Sequence, residues 1–179
     1  MTRPTDRTAS LVVVFGFSVA LGVGTVAIPL LALSTGYDAA AVGFLAAAAA
    51  ASQLATRLAL PRLLGRFADR LLIAGSSLMM VTAFGILLSS TVIGVFLAAQ
   101  VLQGAARAIF WTSSQTHAIR GHDRTVQRLV DLNMVGSAGT LVGPALGGSL
   151  AAIGLPFALT AAMVGAATAA AWSPNRAAA

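Results

Sequence analysis

The sequence predicts an all-α membrane protein with six transmembrane helices, and three observations carry that expectation. Charged residues are missing from Thr8 to Tyr37, Ala39 to Thr56, Leu71 to Ala106 and Leu132 to Asn175, and a bilayer's hydrocarbon core takes about 20 apolar helical residues to cross. Hydrophobic residues make up 58% of the chain and charged ones 9%, whereas a soluble domain is about a quarter charged. All 11 basic residues are arginines, and ten of them fall between or beyond the apolar stretches. The spanning segments must be helices, because an open sheet edge cannot face lipid.

The elements follow in order. A tail of residues 1–9 precedes a first helix over about 10–34, and a second covers about 39–57. The stretch from Leu71 to Ala106 is too long for one crossing. It divides at Ser89-Ser90-Thr91 into helices over about 71–88 and 92–117, the second running on through Arg107. The last stretch divides at Gly154-Leu155-Pro156, where proline removes a donor and glycine is permissive. Helices over about 130–153 and 156–172 result, with a tail of 174–179. Connections 3–4 and 5–6 are tight hairpins. Connections 2–3 and 4–5 are longer and basic, which suits three helices plus three helices in an inverted repeat.

Orientation follows from the arginines. Arg3 and Arg7, then Arg57, Arg62, Arg66 and Arg70, then Arg120, Arg124 and Arg128, and finally Arg176 all lie on one side of a six-helix path. By the positive-inside rule that side, with both termini, is cytoplasmic, in an integral protein of the plasma (inner) membrane. A calculated pI of 11.8 suggests nucleic acid, but the basic residues sit at span ends rather than on one patch. With no Cys and no Glu, disulfides, Cys-based metal sites and paired-glutamate chemistry are excluded. The only histidines, His117 and His122, are five apart and lack a carboxylate pair for a metal. An intramembrane enzyme would need a nucleophile–base set, paired carboxylates or metal ligands, so no enzyme, metal or cofactor is expected.

Three segments carry more than span-forming character. Helix 5 contains Gly139-Thr-Leu-Val-Gly143-Pro144-Ala-Leu-Gly147-Gly148. Glycines at i, i+4 and i+8 share a face and let a neighbouring helix approach closely, while Pro144 frees a backbone carbonyl. The 2–3 connection contains Gly65-Arg66-Phe67-Ala68-Asp69-Arg70, one carboxylate among four arginines. This is either an ion-pair latch or a basic surface loop with an incidental acid. In helix 4, Gln100, Gln103, Gly104, Arg107, Trp111 and Ser114 share a helical face by spacing. Polar residues at membrane depth usually face a bundle interior or a cavity. Arg107 lies roughly 15 Å from the basic end at 1.5 Å per residue, a long reach for snorkelling. It is a functional-site candidate or a structural ion pair.

These segments, in this order, resemble the N-terminal six-helix half of the major facilitator superfamily of secondary transporters, over nearly the whole chain. Helix 5 matches the family's antiporter motif at Gly139, Gly143, Pro144, Gly147 and Gly148, and Val130 replaces an earlier glycine. The 2–3 connection matches the first half of the loop motif at Gly65, Asp69 and Arg70, and Leu71-Leu72-Ile73-Ala74 replaces the second. Helix 4 is similar to the Arg-x2-Gln-Gly motif at Gln103 and Gly104, but Gln100 occupies the arginine position. Arg107 lies two turns further on. The resemblance implies a 3+3 bundle like the family's N-terminal domain, a small-molecule substrate, alternating access, and efflux in exchange for protons. It also implies a second six-helix half, either another copy of this chain or a separate half.

The candidate substrate and coupling residues are Arg107, Gln100, Gln103, Trp111, Asp131 and Asn133. Arg107 can attract an anion or a carboxylate on a facing half, and the glutamines can hydrogen-bond a substrate. Trp111 can stack on a ligand or hold the guanidinium, or serve as an interfacial belt residue. Asp131 and Asn133 are expected at the start of helix 5, where an acid is also explained by the helix dipole. Asp38 is expected to cap helix 2. The rival reading is a non-transporting remnant or a membrane assembly partner.

Overall fold

A computed structural model describes residues 4–119 and 125–171. Six helices form in the described chain: α1 (Pro4–Ser34), α2 (Ala39–Leu64), α3 (Asp69–Ser89), α4 (Ile93–Ile119), α5 (Thr125–Ile153) and α6 (Leu155–Ala171). The first five are long and apolar enough to cross a membrane. The sixth has 17 residues, the short end of the spanning range. Arg3, Arg120, His122, Arg124, Trp172 and Arg176 lie outside the described residues.

The α1–α2 and α5–α6 breaks fall at turn chemistry. Gly36, at φ 95°, takes the left-handed conformation that glycine alone adopts without penalty and closes the α1–α2 turn. Asp38 then caps α2 by accepting the backbone N–H of Ala41 at 2.8 Å, satisfying a donor that has no partner within the helix. Gly154 alone separates α5 from α6. Helix ends therefore differ from those expected. α2 runs on past Arg57 to Leu64 and takes Arg62 into the helix, and α5 begins at Thr125 rather than near Val130. Arginine is a good helix former, so it marks where the chain leaves lipid, not where the helix stops.

Packing has a two-fold pattern. α1 lies against α5 and α6, and α4 lies against α2 and α3, while α3 meets α6. Exchanging α1–α3 with α4–α6 leaves this set of neighbours unchanged, as a 3+3 repeat requires. α1 and α4 are central, and their Phe17 and Phe110 rings stack with centroids 3.6 Å apart. Phe84 and Met80 of α3 and Phe96 of α4 are fully buried, and the buried alanines 158, 162, 166 and 169 present a smooth α6 face. Lipid tails are as apolar as leucine, so helices here associate through van der Waals fit, and small residues allow the closest approach.

The two pairs in equivalent positions cross at their smallest residues. On α1 and α5, a Cβ added to Gly143 would lie 2.6 Å from the Gly22 Cα. On α4 and α2, a Cβ at Gly104 would overlap the Ala49 carbonyl oxygen. One turn away the Ser52 hydroxyl donates to the Val101 carbonyl at 2.6 Å. The alanine run around Ala49 is thus the seat of α4.

Candidate functional site: an open polar groove

α2, α4 and α5 meet only partly, and the gap between them is a groove of about 750 Å³. α2 supplies Gln53, Arg57, Leu60, Pro61 and Leu64. α4 supplies Arg107, Trp111, Thr112 and Gln115. α5 supplies Asn133, Gly136, Ser137 and Thr140. Arg57, Leu60, Pro61 and Leu64 on α2 and the α5 set keep i, i+3, i+4 and i+7 spacing, and the α4 set falls at i, i+4, i+5 and i+8, so each helix turns one face to the opening. The size falls within the range of small-molecule sites.

Arg107 is the deepest charge in the groove. It lies roughly 21 Å along the helix axis from Ile93 and 18 Å from Ile119, at 1.5 Å per residue. Its Nε is buried without a hydrogen-bond partner. Trp111, one turn on, owes its place to α5. A Cβ at Gly136 would overlap the edge of the indole, within 3.2 Å of Cζ2, so glycine there lets the ring lie against the α5 backbone. Pro144 removes the N–H that would have bonded the Thr140 carbonyl four residues earlier, on the helix that lines the groove.

The expected candidates are not gathered in one place. Arg107, Trp111 and Asn133 line the groove, whereas Gln100, Gln103 and Asp131 do not. Gln103 is buried, with its Oε1 beside Gly24 of α1 and its Nε2 unpartnered. Gly104, the next residue, faces α2, and Ser114 lines a second, small cavity. At 100° per residue the six positions of the α4 polar face spread over about 100° of arc. A helix at the centre of a bundle has different neighbours at the two edges of such an arc, so one face by spacing becomes three environments.

Asp131 lies in that second cavity, of about 30 Å³, with Arg7, Arg128, His117 and Ser114 around it. The Arg7 guanidinium donates to Asp131 Oδ2 at 2.5 Å, and Gln127 donates to Oδ1 at 3.2 Å. Because α5 begins at Thr125, Asp131 is past the first turn, where the dipole effect fades. An ion pair tying the start of α1 to α5 explains it better.

The loop motif lies at the same, arginine-rich end. Gly65 follows α2, Ala68 is extended, and Asp69 opens α3 and is 6% exposed. Its carboxylate there complements the helix dipole. On α5, Gly139, Gly143 and Gly147 press against Ser18, Gly22 and Val23 of α1, but Gly148 has nothing within 4 Å.

Arg57, Gln53, Gln115 and Gly136 were not among the residues expected at a site. Arg57 has the look of a loop charge in the sequence, and Gly136 stands outside the glycine motif. The spacing of Gln53 and Arg57, i and i+4 on α2, was the available signal. Among the described residues no three His, Cys, Asp or Glu side chains cluster as metal ligands.

Two comparisons bear on this arrangement. No curated protein matches the chain. The sequence profile described as Major Facilitator Superfamily matches residues 9–178, which takes in α2 to α6 and α1 from Ala9 onward.

Proposed function

Because the chain belongs to the Major Facilitator Superfamily, a family of membrane transporters and not of enzymes, we propose that it forms one six-helix half of an efflux transporter that exchanges a small molecule for protons. Membrane transport of the major facilitator type is the activity the family membership gives. Efflux, proton coupling and the second half are inferred.

The carrying observation is the groove itself. Its polar lining, with Arg107 at mid-helix, opens between α2 and α5, and large apolar side chains of those helices, among them Leu54, Leu58, Met134 and Leu141, are exposed. A second half laid against these faces would close the groove at the bilayer midplane, where such transporters hold substrate. Parallel halves related by an axis along the membrane normal meet in this way, so a second copy with the same orientation is geometrically suitable. Arg107, Trp111 and Asn133 would then contact substrate, while Gln100 and Gln103 would shape the interior of α4. Asp131 would answer to the coupling ion through its pair with Arg7. Asp69 and Arg70, beside Gly65, would latch the arginine-rich side, taken as cytoplasmic with both termini in a plasma (inner) membrane protein. The crossing of Gly139, Gly143 and Gly147 on α1 keeps that pair rigid as the halves rock. Similarity of this segment to the antiporter motif is what favours efflux by exchange.

The first test is the oligomeric mass of the chain in lipid nanodiscs, followed by flux in vesicles prepared from the assembled species. A two-fold assembly that moves protons against a substrate gradient is the expected result. Substrate flux indifferent to the proton gradient would sink the exchange, and absence of flux from an assembled, folded species would sink the reading as a whole.

A further inference from the structure

Resting on the transport reading, we propose that the groove takes a small organic anion with a flat apolar body, its acid group held by Arg107 and Arg57 and its ring laid along Trp111. Among the described residues, these two arginines are the charged members of the lining, and no carboxylate accompanies them. Three acids are committed elsewhere. Asp131 bonds Arg7, Asp38 caps α2, and Asp69 is buried where α3 begins. Arg107 stands at mid-helix with its Nε unpartnered. An intramembrane cation is costly unless an anion or a polar cavity answers it, and guanidinium groups match carboxylate, sulfonate and phosphate oxygens through paired donors.

The apolar part of the ligand follows from Trp111. The indole is braced at one edge by Gly136 and by an edge-to-face contact with Phe110, centroids 6.1 Å apart. It remains part-exposed and lines the groove one helical turn from Arg107. A braced aromatic face beside a cation suits a molecule that joins a ring to an acid group, because rings stack offset on rings. A cationic ligand would meet two like charges and no counter-charge.

The experiment uses the full chain in phosphatidylcholine nanodiscs, titrated with three probes of one shape: 2-naphthoate, 2-naphthalenemethanol and 2-naphthylmethylammonium. Protein-free discs correct for partitioning. 2-Naphthoate should bind at least tenfold more tightly than the other two. Arg107→Gln should lose at least tenfold for the anion and leave the alcohol unchanged, while Arg107→Lys keeps most of the preference. Trp111→Leu should weaken all three alike. Unchanged elution and helix content establish that each variant is folded. Equal affinities, a preference for the ammonium probe, or an anion preference that survives Arg107→Gln would overturn the proposal. A lipid headgroup offers the same chemistry. A tenfold loss of 2-naphthoate binding in phosphatidylglycerol discs, removed by Arg107→Gln, would assign the groove to lipid and overturn it too. Absence of anion binding in an assembled dimer would point to a facing carboxylate and would likewise overturn it. Flux separates the two ideas. 2-Naphthoate bound but never moved would leave this site standing and sink transport, whereas movement of cations alone would leave transport and sink this site.

Discussion

Gly143→Ala and Gly148→Ala are the same chemical change five residues apart on one helix, and the structure gives them different fates. At Gly143 the new Cβ would lie 2.6 Å from the Gly22 Cα, 2.7 Å from the Val19 carbonyl oxygen and 2.9 Å from the Gly22 carbonyl carbon. Carbon atoms rest at about 3.5–4.0 Å, so α1 and α5 must part by roughly 1 Å. All three obstacles are main chain and cannot rotate aside. A gap of that size forfeits about a quarter to a half of each contact's dispersion energy. The loss extends along the crossing, because Gly139 rests on Ser18 and Gly147 on Val23. Overpacking of this kind costs about 1–3 kcal/mol. At Gly148 the Cβ would meet nothing within 4 Å. Any gain from alanine's helix preference, up to about 1 kcal/mol, is common to both variants, so the difference between them isolates the crossing. We expect Gly143→Ala to be less stable than Gly148→Ala by about 1–3 kcal/mol. For a chain of this length that lowers the unfolding midpoint by about 2–4 °C per kcal/mol. The assay is thermal unfolding in nanodiscs, followed by intrinsic tryptophan fluorescence. Equal midpoints for the two variants would mean that α1 and α5 are not in backbone contact at Gly143.

Three further outcomes are expected. Gly136→Ala pushes the Trp111 indole off α5 toward the open groove, so its emission should move to longer wavelength; an unshifted spectrum would show that the ring is not seated there. Arg7→Ala and Asp131→Asn, taken as a double-mutant cycle, should couple by only about 0.2–1 kcal/mol, because Arg7 is 55% exposed. That coupling should shrink as salt is raised, and a salt-independent value would mean that the pair is more enclosed. Ser52→Ala removes the hydroxyl bond to Val101 and should cost about 0.6 kcal/mol, the average for interhelical hydrogen bonds in membranes; no change in unfolding midpoint would mean that the bond contributes nothing net.

The number and order of helices were legible because they depend on local quantities: runs without charge, ended by Asp38 and the arginine clusters and divided at Ser90 and Gly154. Their ends were less so. Arg57 and Arg62 looked like loop residues because charge was taken to mark both the bilayer boundary and the helix end, and α2 passes through both arginines before stopping at Leu64. The α5 glycine motif was legible as a packing face, but not its partner, since Gly22 sits unannounced in the most apolar of the long helices. Gly148 belongs to the motif by spacing and to open space by structure. The site was half legible. Arg107 and Trp111 stand out as polar and aromatic residues at depth. The α2 wall with Arg57 and the Gly136 seat depend on which helices adjoin α4, and adjacency of α2, α4 and α5 is not written in any single segment.

The packing symmetry also explains why a mid-helix charge sits on α4 and not on its counterpart. Exchanging the two triplets maps α4, with α2 and α5 on either side, onto α1 with the same two helices in swapped roles. α1, however, meets α5 backbone to backbone at Gly22 and Gly143, and its interior is Val13, Val14, Phe17, Ala20, Leu21 and Val23, with Ser18 the one polar side chain among its buried described residues. Among those residues none of α1 lines the groove. α4 uses its closest approach on the other neighbour, Gly104 against Ala49 of α2, and touches α5 sparsely. Room remains there, and a long polar side chain can stand at mid-helix without meeting backbone. An arginine on α1 at the depth of Gly22 would have to displace α5, whereas on α4 at position 107 it enters an existing cavity. One repeat thus serves as the packing post and the other carries the polar surface, and substitutions should divide the same way: α1 changes should act on stability, and α4 groove changes on ligand binding.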